Sequence, residues 1–132
     1  MRGGGDELQK LIAAATPLGG NGARLVMGEV RVDDAKSLQG LGDALREQLS
    51  SGVGLLAARL SDGKGSLLAV VTDDLRAKGL RADAIVRDVA ALAGGRGGGK
   101  PHMAQAGIPD ADRMQAALDE APKLVAALLA SA

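Results

Sequence analysis

The sequence contains no Phe, Trp or Tyr and no Cys, and each absence removes a class of chemistry. Without thiols there are neither disulfides nor thiolate zinc sites. His102 is the single imidazole, so a histidine-built metal site is excluded, and no metal or cofactor is expected. Without aromatic rings, the core must be filled by many smaller pieces, chiefly Leu, Val, Ile and Ala with four Met. Net charge is missing too, because 16 basic and 16 acidic side chains cancel. That balance argues against a protein that coats nucleic acid non-specifically, and leaves room for a local basic patch. No apolar run approaches the roughly 18–20 residues that cross a bilayer, so no membrane partner is expected. The start, Met1-Arg2-Gly3-Gly4-Gly5, lacks the apolar stretch of a secretory signal, and a cytoplasmic setting is the expectation.

What remains is an ordinary globular composition, 46% hydrophobic and 24% charged, in 132 residues. That length suits one domain with a real core. Residues 6–16 read as a short amphipathic helix, with Asp6 as its cap and Leu8, Leu11, Ile12 and Ala15 at helical spacing. Pro17 and Gly19-Gly20-Asn21-Gly22 are expected to stop it. Residues 23–32 read as a strand, and residues 34–49 as a helix whose stripe is Leu38, Leu41, Leu45 and Leu49. A second, apolar strand over 53–60 then completes a strand–helix–strand unit, which predicts a parallel pair joined by a right-handed crossover.

Ser61-Asp62-Gly63-Lys64-Gly65 carries tight-turn chemistry, so residues 67–72 should return antiparallel. Asp83 is the expected cap of a helix carrying Ile85, Val86, Val89 and Leu92, with Gly94 at its end. Beyond, residues 110–119 are helical, and Pro122 opens a further short helix unless the two form one kinked helix. The expected fold is α/β: a single compact domain, a mixed sheet of about four strands packed with helices, and a glycine-rich loop before the last strand.

The least generic stretch is acid-free and runs from Gly94 to Gly107, with Gly94, Gly95, Gly97, Gly98 and Gly99 among its first six residues. Glycine loses the most backbone entropy on folding, so such a run is tolerated where backbone needs positive angles or close approach. A plain flexible loop is the competing reading. A Walker loop needs Ser or Thr after the lysine, and here Pro101 follows Lys100. A dinucleotide fingerprint needs a strand before its glycines and a helix after, the reverse of the order here. Asp33-Asp34 and Asp73-Asp74 invite a reading as catalytic or metal-binding pairs, but both fall where caps and turns are expected.

The spelling Gly-Gly-x-Gly-Gly-Gly-Lys-Pro-x-x-Ala-Gln-Ala-Gly over residues 94–107 resembles the signature of the DHH-associated domain family, in the form it takes at the C-terminus of alanyl-tRNA synthetases. Residues 38–53 and the order of elements resemble that domain as well. The resemblance covers residues 23–132, and leaves 1–22 as an N-terminal helix and glycine-rich connector. The family usually has a further glycine where this sequence has Ile108. Phosphoesterases with a related domain place His directly after the glycines and end in Ala-Ala-Gly, so Lys100-Pro101 and Gln105 favour the synthetase branch.

The resemblance implies a non-catalytic module that binds alanine-specific tRNA at its outer corner, beside the rest of the synthetase chain, and helps link aminoacylation with editing. RNA would be met without aromatic stacking, leaving phosphates to cations and an Arg plane to an exposed base. The candidate residues are Arg96 and Lys100 for phosphates, Gln105 for a sugar or base edge, and His102. Each has a structural counter-reading: a solvated charge for Arg96 and Lys100, a structural or exposed ring for His102, an internal hydrogen bond for Gln105. Arg76, Lys78, Arg81 and Arg87 either widen the positive surface or solvate a helix. A protein-interaction or homodimerisation module is the alternative function. A detached phosphoesterase part fails for want of an Asp-His-His metal motif.

Overall fold

The computed structural model describes residues 3–18, 22–60 and 62–131, with side chains from residue 8 onward. The chain runs α1 (Gly3–Ala13), β1 (Thr16–Pro17), β2 (Arg24–Val30), α2 (Ala35–Gln48), β3 (Gly52–Arg59), β4 (Gly65–Val71), α3 (Asp73–Ala77), α4 (Ala82–Leu92), β5 (Arg96–Gly99), β6 (Met103–Ile108) and, after a 3₁₀ turn at Ala111–Arg113, α5 (Met114–Ser131). The mixed α/β sheet has six strands, not about four, in the order β1-β2-β3-β4-β6-β5. The uncounted strands lie at the two edges. β1 is two residues long and shows no alternation, while β5 is mostly glycine, which carries no strand preference.

β2 and β3 pair in parallel through α2, with Leu25 opposite Val53 and Met27 opposite Leu55. Every other pairing is antiparallel. β3 and β4 are buried along nearly their whole length, because helices cover both faces of the sheet. On one face Leu55, Ala57, Leu67, Ala69 and Ile108 pack with Ile85 and Val89 of α4 and Leu118 and Val125 of α5. On the other, Val26, Leu56, Leu68 and Val70 pack with Leu8 of α1 and with Leu38 and Leu45 of α2. Small side chains substitute for aromatic bulk by letting the layers approach. At Gly42 a Cβ would lie 2.2 Å from a Leu68 methyl, so α2 sits directly on β4.

Helix starts follow local hydrogen bonding. The Asp34 carboxylate accepts the Ser37 N–H at 2.8 Å, as a cap should, and that bond holds its carboxyl below the usual range. α4 differs from expectation: it begins at Ala82 after Arg81, with Asp83 in its first turn. The Ala82 N–H is already taken by the Pro101 carbonyl at 2.8 Å, which reduces the need for a side-chain cap. α1 begins at Gly3, ahead of Asp6, whose side chain lies outside the described residues. Pro17 belongs to β1; Gly19, Gly20, Asn21 and Ser61 lie outside the described residues. The C-terminal segment is one helix with Pro122 inside it, preceded by a 3₁₀ turn that Asp110 caps.

Candidate functional site

The glycine segment is not a loop but an edge strand and a tight turn. Gly94 ends α4 with φ at 75°, while the Gly95 N–H reaches the Ala90 carbonyl at 2.8 Å. β5 then pairs with β6, Gly97 against Ala106 and Gly98 against Gln105. The Lys100 N–H donates to the Met103 carbonyl at 3.0 Å and closes the turn between the strands. Ile108, where the resembling family has glycine, is the buried last residue of β6 and pairs with Gly65. The strand runs up to and includes that position.

The glycines fall into two kinds. A Cβ on Gly97 would lie 2.3 Å from the Ala106 Cα, so that glycine is required for the strands to meet. At Gly98 and Gly107 a Cβ would meet nothing within 4 Å. Packing does not demand glycine at those two positions. They share one face of the hairpin with Arg96, Met103 and Gln105, by the alternation of the strands.

Beside that face lies a cleft of about 410 Å3 between α2 and the glycine strand, lined by Gln39, Asp43, Leu68, Gly98, Gly99, Lys100, His102, Met103, Ala104 and Gln105. At the other end of the hairpin, a depression of about 440 Å3 has Leu60, Ile108 and Pro109 as its apolar lining, with Lys64, Gly94, Gly95, Arg96 and Gly107 around them. The structure therefore brings Lys100, His102 and Gln105 together and sets Arg96 apart, four residues along an extended strand. At about 3.3 Å per residue that spacing is roughly 13 Å. Gly97 lines neither depression.

Gln105 has an internal role. Its Nε2 donates to Ser66 Oγ at 2.8 Å and to the Ala35 carbonyl at 3.2 Å, and its Oε1 accepts from Gln39 at 2.6 Å. Both amide donors are used, tying β6 to β4 and α2 beneath the glycine strand. His102 is half-buried; its carbonyl accepts the Val71 N–H at 3.1 Å. Among the described residues, Arg96, Lys100 and Lys64 take part in no ion pair. Arg76, Arg81 and Arg87 each have an Asp within 4.0 Å, Asp73, Asp83 and Asp88 respectively, so their charge is offset locally. Arg76 and Arg81 still border a depression beside Pro101, adjoining the glycine turn.

In each carboxylate pair one member has a structural partner. Asp34 is the α2 cap, and Asp74 accepts hydroxyls from Ser51 and, at 2.5 Å, from Thr72, which hold its carboxyl below the usual range. Sequence reasoning missed Lys64, Arg113, Gln39 and Asp43. Arg113 comes within 3.3 Å of where a Gly94 Cβ would sit. Gln39 and Asp43 are four apart on α2 and so share a flank, a spacing visible in the sequence. That this flank faces the glycine hairpin follows only from the strand order.

A family model described as the DHHA1 domain matches residues 22–127. The chain belongs to the DHHA1 domain family. This DHHA1 domain is 42% identical over 105 residues to the alanine–tRNA ligase of Myxococcus xanthus, covering 80% of this chain and 12% of that protein. The chain thus spans about an eighth of the length of the curated relatives it matches. In fold it matches the C-Ala domain of Aquifex aeolicus alanyl-tRNA synthetase, with a TM-score of 0.72 and 25% identity over 87% of this chain and 96% of that one. A protein described as the DHH domain of a member of the s1p family of ribosomal proteins shares the fold alone, with a TM-score of 0.58 and 17% identity over 93% of this chain and 30% of that one. By sequence and fold, the DHHA1 domain described here corresponds to the C-terminal domain of alanyl-tRNA synthetase, a domain of an enzyme. Among the described residues, no helix is long and apolar enough to cross a membrane.

Proposed function

We propose that this DHHA1 domain is a non-catalytic tRNA-binding module, which in a synthetase contacts the tRNA outer corner and helps deliver one tRNA to both aminoacylation and editing. One observation carries the reading: Gly98 and Gly107 leave the hairpin face uncovered where side chains would fit, and cations without an ion pair among the described residues stand at both ends of that face. Uncovered backbone flanked by cations admits close approach of a sugar–phosphate chain. Arg96 and Lys100 hold phosphates, Lys64 supports Arg96, and Gln105 keeps the hairpin in place. The apolar face of α1 is a weak basis for a dimerisation module, since Leu8 is buried and Leu11, Ile12 and Ala15 pack on this chain's own sheet. We place the domain boundary between residues 22 and 23, one residue past the start of the family match, with α1 as an N-terminal addition seated on the sheet.

Fluorescence anisotropy with labelled tRNA at several salt concentrations tests this. Binding should weaken steeply with salt, and Arg96→Ala and Lys100→Ala should each reduce the log–log slope by about 0.7–0.9. No salt-sensitive binding at roughly tens of micromolar, the middle of the range for non-specific contact, contradicts the reading.

A further inference from the structure

The 410 Å3 cleft contains an acidic residue, which a surface built only for phosphates would exclude. Asp43 stands on the α2 wall and Lys100 on the hairpin wall, yet among the described residues they form no ion pair, and Asp43 has no hydrogen bond. Gln39 stands one helical turn before Asp43. Its Nε2 is committed to Gln105, which leaves its Oε1 as an acceptor. One wall therefore offers acceptors, Asp43 and Gln39, while the opposite wall offers donors, Lys100 and, through its ring, His102. Between them Met103 and the uncovered backbone of Gly98 make the floor, with Leu68 almost fully buried behind it. The volume falls within the range of small-ligand pockets, about 300–1,000 Å3.

A carboxylate repels phosphate; in RNA its good partners are the ribose 2′-hydroxyl and the N–H groups of base edges, and a floor between the two walls selects the base. Resting on the RNA-binding reading above, we propose that this cleft takes one unpaired nucleotide, with its phosphate on Lys100 and an amino-bearing base edge on Asp43. The base plane lies on Met103 and the Gly98 backbone, replacing the aromatic platform that this sequence lacks. Guanine, adenine and cytosine each offer an exocyclic amine. Uracil offers a single N–H between two carbonyls and is disfavoured against an acceptor wall.

The sign of one substitution decides it. Asp43→Ala removes both acceptor oxygens and one negative charge at an exposed helical position. If Asp43 faces only solvent or phosphates, binding to a polyanion is unchanged or tightens. If Asp43 accepts from a base, binding weakens despite the lost repulsion. The same anisotropy measurement with labelled tRNA should show about tenfold weaker binding for Asp43→Ala, with the salt slope of the parent chain retained. Asp43→Lys should also weaken binding, although it adds a cation. Circular dichroism of both variants should match the parent. Equal or tighter binding by Asp43→Ala overturns the nucleotide site and leaves the RNA-binding reading standing. Absence of tRNA binding by the unaltered chain overturns that reading itself.

Discussion

Gln105 reaches from the glycine segment back into the fold, and its environment shows why residue identity alone misleads. An amide in a nucleic-acid-binding string invites a reading as a base contact, but here its donors are spent on Ser66 and the Ala35 carbonyl. Ser66 is itself buried, so Gln105→Leu leaves its hydroxyl without that partner. We expect a loss of about 1–3 kcal/mol in urea unfolding, the usual cost of stranding a buried polar group. Acid stability is also set at the residue scale. The hydroxyls of Ser51 and Thr72 lower the Asp74 carboxyl in the folded state. A lowered carboxyl contributes stability above its unfolded value, about pH 3.9, and loses it as pH falls through the folded value. Asp74→Asn should therefore be less stable than the parent near pH 6, with the difference shrinking toward about pH 3 in urea melts.

At the scale of elements, the β5–β6 hairpin separates two uses of glycine that composition merges. Gly97→Ala places a methyl group against the backbone of Ala106 and should loosen the edge strand. A loss of about 1–3 kcal/mol is expected, the range for forced overpacking, read as a lower midpoint in thermal unfolding. Gly98→Val adds a β-branched side chain in open space and should leave the midpoint unchanged or raised. It should nevertheless weaken tRNA binding, because the side chain covers the hairpin face. If both variants lose stability alike, the distinction between packing and uncovered glycines fails.

The same scale explains what is legible in the sequence. The β2–α2–β3 unit and the β3–β4 hairpin were readable because apolar periodicity and turn residues mark their ends. β5 was not, since glycine has neither a side chain to alternate nor a strand preference. α3 was hidden by its five residues, too few to show a helical period. The 3₁₀ turn and unbroken α5 show that Pro122 is tolerated where packing of Leu118 and Val125 holds both halves of the helix.

For the molecule as a whole, a zero net charge looks unsuited to RNA until charge is placed in space. Arg76, Arg81 and Arg87 are offset by neighbouring carboxylates, whereas Arg96, Lys100 and Lys64 stand free among the described residues around the glycine hairpin. The string of residues 94–107 named the candidate surface, and the strand order supplied its opposite wall, Gln39 and Asp43. That wall comes from sequence some 60 residues away, across a crossover that no local pattern reports. The central claim is that the uncovered face of β5–β6 meets the RNA. An amide NMR titration of the labelled chain with tRNA tests it most directly. The account predicts that the resonances of Gly97–Gly99, Lys100 and Met103–Gly107 move first, together with Gln39 and Asp43 of α2. Shifts confined to the α4–α5 side of the sheet, with the hairpin unmoved, would contradict it.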